Sequence, residues 1–223
     1  VPNPRPHPAP FNMKVLDTIK EMIADLPITT ILDPFAGIGR IHLLRPKYET
    51  VGVEREPEWA CQSQYNIVGD ALQIDRLFQP GRFDAVVTSP SYGNRMADHH
   101  EARDASRRNT YRHKLGRPIA PGSSAIMHWG DEYREFHETV WAKVTDLAPA
   151  FFVLNMKDHL KTEVKGGPKV LQPVTQWHWD VLQRLGWNLR EVRKVWLRGN
   201  RYGANADVRV DHETVALFER RRH

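Results

Sequence analysis

Ile28-Thr29-Thr30-Ile31-Leu32 runs directly into Asp33-Pro34-Phe35-Ala36-Gly37-Ile38-Gly39-Arg40. The first five residues have the β-branched, apolar content of a buried strand. Two glycines one residue apart then permit a tight turn and a close backbone approach by a ligand, while the Asp33 carboxylate at the strand end can accept from an amine or a hydroxyl. The turn lacks both the third glycine of the dinucleotide fingerprint and the Gly-Lys-Ser/Thr of a phosphate-binding loop. Repetition of the pattern downstream decides the fold. Thr50-Val51-Gly52-Val53 reads as a second strand ending at Glu54, about 20 residues past the glycines, where an acid in an open α/β sheet holds the hydroxyls of a ribose. Asn66-Ile67-Val68 ends at Gly69-Asp70-Ala71. Phe83-Asp84-Ala85-Val86-Val87 ends at Thr88-Ser89-Pro90-Ser91-Tyr92-Gly93-Asn94-Arg95, and Ala150 to Leu154 delivers Asn155-Met156-Lys157-Asp158-His159. Every strand thus stops in a polar loop on one edge, which is where open α/β sheets bind ligands.

The loop after the fourth strand offers a hydroxyl, a peptide carbonyl held by proline and an aromatic face, a set suited to gripping a planar group that carries an NH2. Around the strands, apolar residues recur at helical spacing. Met13, Leu16, Ile19, Met22, Ile23 and Leu26 follow Asn12 as N-cap, and Glu58 to Gln62 forms a short helix. Tyr133, Phe136, Val140, Trp141, Val144 and Leu147 mark one face of a helix opened by Asp131, more in keeping with core than with a cofactor contact. A further helix runs from Pro173 to Gly186. Trp187 to Leu197 and His212 to Phe218 read as a closing antiparallel pair, and Gly166-Gly167-Pro168 as a flexible connection.

The chain has 223 residues, of which 40% are hydrophobic and 26% charged, enough for one sizeable core and a single domain over residues 1–223. No stretch approaches the ~20 apolar residues of a membrane span, and Val1 to Pro8 lacks the apolar core of a signal peptide, so an intracellular, cytoplasmic protein is expected. Cys61 is the single cysteine, which excludes an intrachain disulfide and a cysteine-based zinc cluster and argues against a cysteine nucleophile. His99-His100 forms no recognisable metal-ligand cluster with its neighbours, so no metal site is expected. A formal charge of +5 favours a polyanionic partner.

Asp33-Pro34-Phe35-Ala36-Gly37-Ile38-Gly39, Glu54, Asp70 and Thr88-Ser89-Pro90-Ser91-Tyr92, in this order, resemble the motif series of the S-adenosylmethionine-dependent amino-methyltransferases that modify exocyclic nitrogens of DNA bases. His7-Pro8-Ala9-Pro10-Phe11 resembles the segment that in this family precedes the glycine loop. The motif likeness covers about the first 95 residues. It implies a Rossmann-like α/β fold, a seven-stranded, mostly parallel sheet with an antiparallel C-terminal strand and helices on both faces. It also implies that His7, Pro10, Phe11, Asp33, Phe35, Ala36, Gly37 and Gly39 surround the methionine and ribose part of S-adenosyl-L-methionine. Glu54 takes the ribose hydroxyls, and Asp70 with Ala71 the adenine. Ser89 and the Pro90 carbonyl accept from the target amine, and Tyr92 stacks on the extruded base. Ser91 stands where the family has a second proline, which frees a backbone N–H and is expected to loosen the loop.

From Gly93 to Pro118 the chain is irregular and basic, and the insertion at residues 93–130 is expected to contact nucleic acid through Arg95, Arg107, Arg108, Arg112 and Lys114. Lys157 and, in the polar connection between the last two strands, Arg201 are expected to add to that surface. The expected partner is DNA, single-stranded or with a flipped base. A Thr-Ser-Pro opening leans toward N4 of cytosine in the family pattern, ahead of N6 of adenine. Two rivals stand beside this expectation: an RNA methyltransferase acting on a guanine or adenine amine, and a catalytically silent nucleic-acid-binding subunit.

Overall fold

The computed structural model describes residues 5–92, 110–162, 167–197 and 210–220. Its helices are α1 (Met13–Met22), α2 (Pro57–Ala60), α3 (Tyr111–Leu115), α4 (Asp131–Leu147) and α5 (Val174–Arg184). Its strands are β1 (Thr30–Asp33), β2 (Glu49–Glu54), β3 (Asn66–Val68), β4 (Ala85–Thr88), β5 (Phe151–Met156), β6 (His159–Thr162), β7 (Lys169–Gln172), β8 (Asn188–Trp196) and β9 (His212–Glu219). Seven strands form one sheet in the order β3-β2-β1-β4-β5-β9-β8. The first five are mutually parallel, and β9 runs antiparallel to both β5 and β8. The expected seven-stranded α/β sheet with an antiparallel C-terminal strand is the observed one.

Strand order reverses between β1 and β4, which makes their carboxyl ends the switch point where such sheets open a crevice. Leu32 pairs with Val86 there, so Asp33 and Thr88 emerge side by side. Both faces of the sheet are covered. Leu32, Val86, Phe152, Leu154, Ala216 and Phe218 pack against α4 and α5, while their neighbours Ile31, Ala85, Val87, Val153, Val215 and Leu217 pack with α1. Burial on both sides explains why these strands read as continuous apolar runs rather than as alternations. Asn12 caps α1, its side chain accepting from Lys14 N at 2.9 Å.

Two elements were not anticipated. The connection expected around Gly166-Gly167-Pro168 is flanked by an antiparallel pair, β6 and β7, in which Leu160 faces Leu171. Four-residue strands with interspersed lysines carry too weak a periodicity to announce themselves. The supposedly irregular stretch ending at Pro118 contains α3, whose Tyr111 and Leu115, one helical turn apart, are both buried. Among the described residues no helix is long and apolar enough to cross a membrane, and no group of three or more His, Cys, Asp or Glu side chains could hold a metal ion. His99-His100 lies outside the described residues.

Candidate active site

The carboxyl ends of the parallel strands border one continuous cleft of about 810 Å³. His7, Pro10, Phe11, Phe35, Ala36, Gly37, Glu54, Asp70 and Ala71 line one part of it, and Ser89, Pro90, Tyr92 and Lys157 line another. Asp33 and Gly39 are not among the lining residues. Arg112 is exposed on α3 and Lys114 partly buried there, both away from the lining. Arg95, Arg107, Arg108 and Arg201 lie outside the described residues.

The first part is built from acids held by backbone donors. Glu54 Oε2 accepts from Gly37 N at 2.9 Å and Oε1 from Glu56 N at 2.8 Å, and burial pushes its pKa up to about 7. Asp70 Oδ1 accepts from Leu72 N at 3.0 Å, and Oδ2 pairs with Arg55 Nη1 at 2.9 Å. Asp33 is 0% exposed; its Oδ1 accepts from Thr88 Oγ1 at 2.7 Å and from Phe35 N at 3.0 Å, while Oδ2 has no partner. Burial lifts this carboxyl to a pKa of about 7 in spite of both bonds. Asp33 therefore braces the glycine turn against the end of β4 from beneath the cleft.

The N-terminal segment lies over the turn. His7 Nδ1 accepts from Ala9 N at 3.2 Å, which leaves the ring proton on Nε2, and burial lowers its pKa to about 4. The ring packs edge-on to Trp59 at 4.4 Å and Tyr111 at 5.6 Å. Gly39 has φ +80°, and a Cβ there would sit 2.6 Å from His42 Cδ2 and 2.8 Å from Ser63 Cβ. We expect Gly39→Ala to destabilise the fold by about 1–3 kcal/mol, from strain and overpacking together, measured by urea denaturation.

The second part is a cluster around Asn155, which is 1% exposed at the end of β5. Its Nδ2 lies 3.0 Å from Ser89 Oγ, 3.0 Å from Tyr92 Oη and 2.7 Å from Glu213 Oε2 on β9. Ser89 Oγ and Tyr92 Oη are themselves 2.9 Å apart. The Tyr92 phenol is pushed well above its usual pKa by burial and then by the Glu213 carboxylate, so it stays a neutral hydroxyl. Ser91 is tied from two sides. Its carbonyl accepts from Tyr133 Oη at 2.8 Å, and its Oγ is 3.0 Å from Ser124 Oγ. Lys157, His159, Leu160 and Lys169 continue the lining beyond Ser89 and Tyr92.

No protein-family model matches the sequence, and no curated protein matches it. Solved structures do. A putative S-adenosylmethionine-dependent methyltransferase from Listeria monocytogenes superposes with a TM-score of 0.53 at 11% identity, over 92% of this chain and 97% of that one. Magnesium protoporphyrin IX methyltransferase from Synechocystis PCC 6803, with SAH bound, gives 0.53 at 12% identity over 96% and 89%. The 1,6-didemethyltoxoflavin-N1-methyltransferase of Burkholderia thailandensis, bound to 1,6-didemethyltoxoflavin and S-adenosylhomocysteine, gives 0.50 at 15% over 93% and 78%. The fold is the Rossmann-like methyltransferase fold. Likeness at these identities speaks for the architecture and not for a substrate.

Within that fold, the residues between α3 and α4 form a wall that sequence reasoning did not place. Tyr111, Leu115, Ile119 and Ala125 pack on Trp59 of α2. Arg117 Nε donates to Glu58 Oε1 at 2.8 Å, and its Nη2 lies 2.7 Å from Glu56 Oε2. Ala120 N donates to Glu56 Oε1 at 2.8 Å, and Arg55 donates to the carbonyls of Pro121 and Gly122. The described part of the stretch expected to meet nucleic acid thus closes over the acid-rich part of the cleft, with Arg117 engaged by acids. The Tyr111/Leu115 spacing and the run Glu54-Arg55-Glu56 were the available signals. Glu213 carried none, because it reaches Asn155 only through the pairing of β9 with β5.

Proposed function

We propose that this chain transfers a methyl group from S-adenosyl-L-methionine to an exocyclic amine of a nucleic-acid base, with DNA as the substrate and N4 of cytosine preferred over N6 of adenine. The observation that carries the reading is the single cleft joining Glu54, Asp70 and the glycine turn to Ser89, Pro90 and Tyr92. The residues present fit the donor. Glu54 projects a fixed carboxylate suited to vicinal hydroxyls, Asp70 and Ala71 line the same cleft and are assigned to the adenine, and Gly37 leaves room against His7. When bound, S-adenosylmethionine supplies an electrophilic methyl group on a sulfonium.

An exocyclic amine is a poor nucleophile because its lone pair is delocalised into the ring. Acceptors fixed on its hydrogens favour the pyramidal form and stabilise the positive charge that grows on nitrogen. Ser89 Oγ and the Pro90 carbonyl are those acceptors. Ser89 Oγ and Tyr92 Oη share one hydrogen bond, and Asn155 Nδ2 lies 3.0 Å from each, which holds both hydroxyls in place. A paired base must leave the stack at a cost of a few kcal/mol, of which stacking on Tyr92 recovers about 1–3 kcal/mol. Arg112, Lys114 and Lys157, with Arg95, Arg107, Arg108 and Arg201, are assigned to the phosphate backbone.

Mass spectrometry of nucleosides from DNA and RNA incubated with protein and methyl-labelled cofactor tests this reading. N4-methylcytosine in DNA is expected. Label confined to RNA would transfer the assignment to RNA, and nucleic-acid binding without SAH affinity by calorimetry would make the chain a binding subunit.

A further inference from the structure

Ser89 to Tyr92 belong to no helix or strand, so side chains hold the loop. One hold starts deep in the apolar layer between the sheet and α4. Trp141 Nε1 donates to His178 Nδ1 at 2.8 Å, His178 Nε2 lies 3.0 Å from Tyr133 Oη, and Tyr133 Oη donates to Ser91 O at 2.8 Å. Trp141, His178 and Tyr133 are all 0% exposed. The sense of the chain is fixed by what each group can do. An indole N–H only donates, so His178 Nδ1 is the acceptor. Burial, and then the neighbouring His137, hold the imidazole well below its usual pKa, so it is neutral and its one proton sits on Nε2. That proton goes to the Tyr133 oxygen, which leaves the phenolic hydrogen for the Ser91 carbonyl. Polar groups in an apolar layer are costly unless every one is satisfied, and here the last partner is the loop.

We propose that Tyr133, oriented by His178, is a positioning residue for the loop that carries Ser89, Pro90 and Tyr92. It fixes the plane of the Ser91–Tyr92 peptide and with it the direction from which Tyr92 meets Ser89 and Asn155. The proposal rests on the function proposed above only in assigning that loop to the target amine.

The test compares Tyr133→Phe with Trp187→Phe. Trp187 is buried in the same apolar layer, and its indole donates to Thr145 Oγ1 at 2.9 Å, with no link to Ser91. Tyr133→Phe is expected to lower kcat by about 10–100-fold, as misplacement of a reacting group does, with SAH affinity unchanged. Amide exchange in the peptide 88–92 should become about tenfold faster. Trp187→Phe is expected to lower the unfolding temperature at least as far while leaving kcat and exchange at 88–92 near wild type. Loss of kcat in proportion to lost stability in both variants, or unchanged exchange at 88–92 in Tyr133→Phe, would overturn the proposal. If the wild type methylates neither DNA nor RNA, the proposed function fails, and the exchange comparison alone decides the positioning role.

Discussion

Replacing Ser89 with alanine is expected to lower the rate of methyl transfer by about 10²–10³-fold, the usual cost of deleting one preorganised hydrogen-bond partner from a transition state. Affinity for SAH should be nearly unchanged. The two halves of the expectation come from the separation of the cleft into parts. Among the described residues the hydrogen-bond partners of Ser89 Oγ are Tyr92 and Asn155, neither of them in the glycine turn nor an acid of the first part. The alanine variant also leaves Asn155 Nδ2 with the Tyr92 oxygen and Glu213 as acceptors, so the fold should hold. Single-turnover rates with labelled cofactor and calorimetry with SAH measure the two quantities. A parallel loss of both would contradict the division of the cleft.

Asp33→Asn is expected to stabilise the chain without cofactor at pH 8, by on the order of 4 kcal/mol, and by only about 1 kcal/mol at pH 5. The folded carboxyl titrates at about 7 because its site is fully buried, against roughly 4 when unfolded. A raised pKa means that its contribution to stability is fully present below the unfolded value and is lost as pH rises through about 7. Above that, folding must bury a charge whose Oδ2 has no partner. Asparagine keeps an oxygen for Thr88 and Phe35 N and has no charge to bury. Glu54 titrates in the same sense, whereas His7 and His137, held neutral with pKa values of about 4 and 3, lose their contribution as pH falls below about 6.5. The comparison is therefore between variant and wild type at each pH, by urea denaturation at pH 5 and pH 8. An equal difference at the two values would mean that Asp33 keeps one protonation state throughout. Asp33→Ala, which deletes both bonds to the turn and to β4, is expected to weaken SAH binding, whereas Tyr92→Ala should leave it nearly intact.

Much of the site was legible because it is local. Asp33, Glu54, Asp70 and Ser89 each follow an apolar run, and a strand end followed by a turn is written in adjacent residues. Asn155 was visible on the same grounds. What ties Ser91 was not readable. A missing proline predicts a looser loop when the loop is considered alone, and the contacts from Tyr133 and Ser124 come from residues 42 and 33 positions further on. Tyr133 read as one apolar position on a helix face, and nothing in its neighbourhood announced a hydroxyl aimed at the loop. Arg117 belongs to the basic stretch expected to meet nucleic acid, yet Glu56 and Glu58 lie beside it.

By itself, the sequence determined the parallel α/β sheet, the edge on which the cleft opens and the polar loops that reach it, since hydrophobic period, turn residues and caps act between near neighbours. Only the tertiary structure decided which of those polar groups are spent on one another, which acids are buried deeply enough to titrate near neutrality, and what holds the Ser89 to Tyr92 loop. Those properties depend on strand register and helix packing, which bring together residues that no local pattern relates.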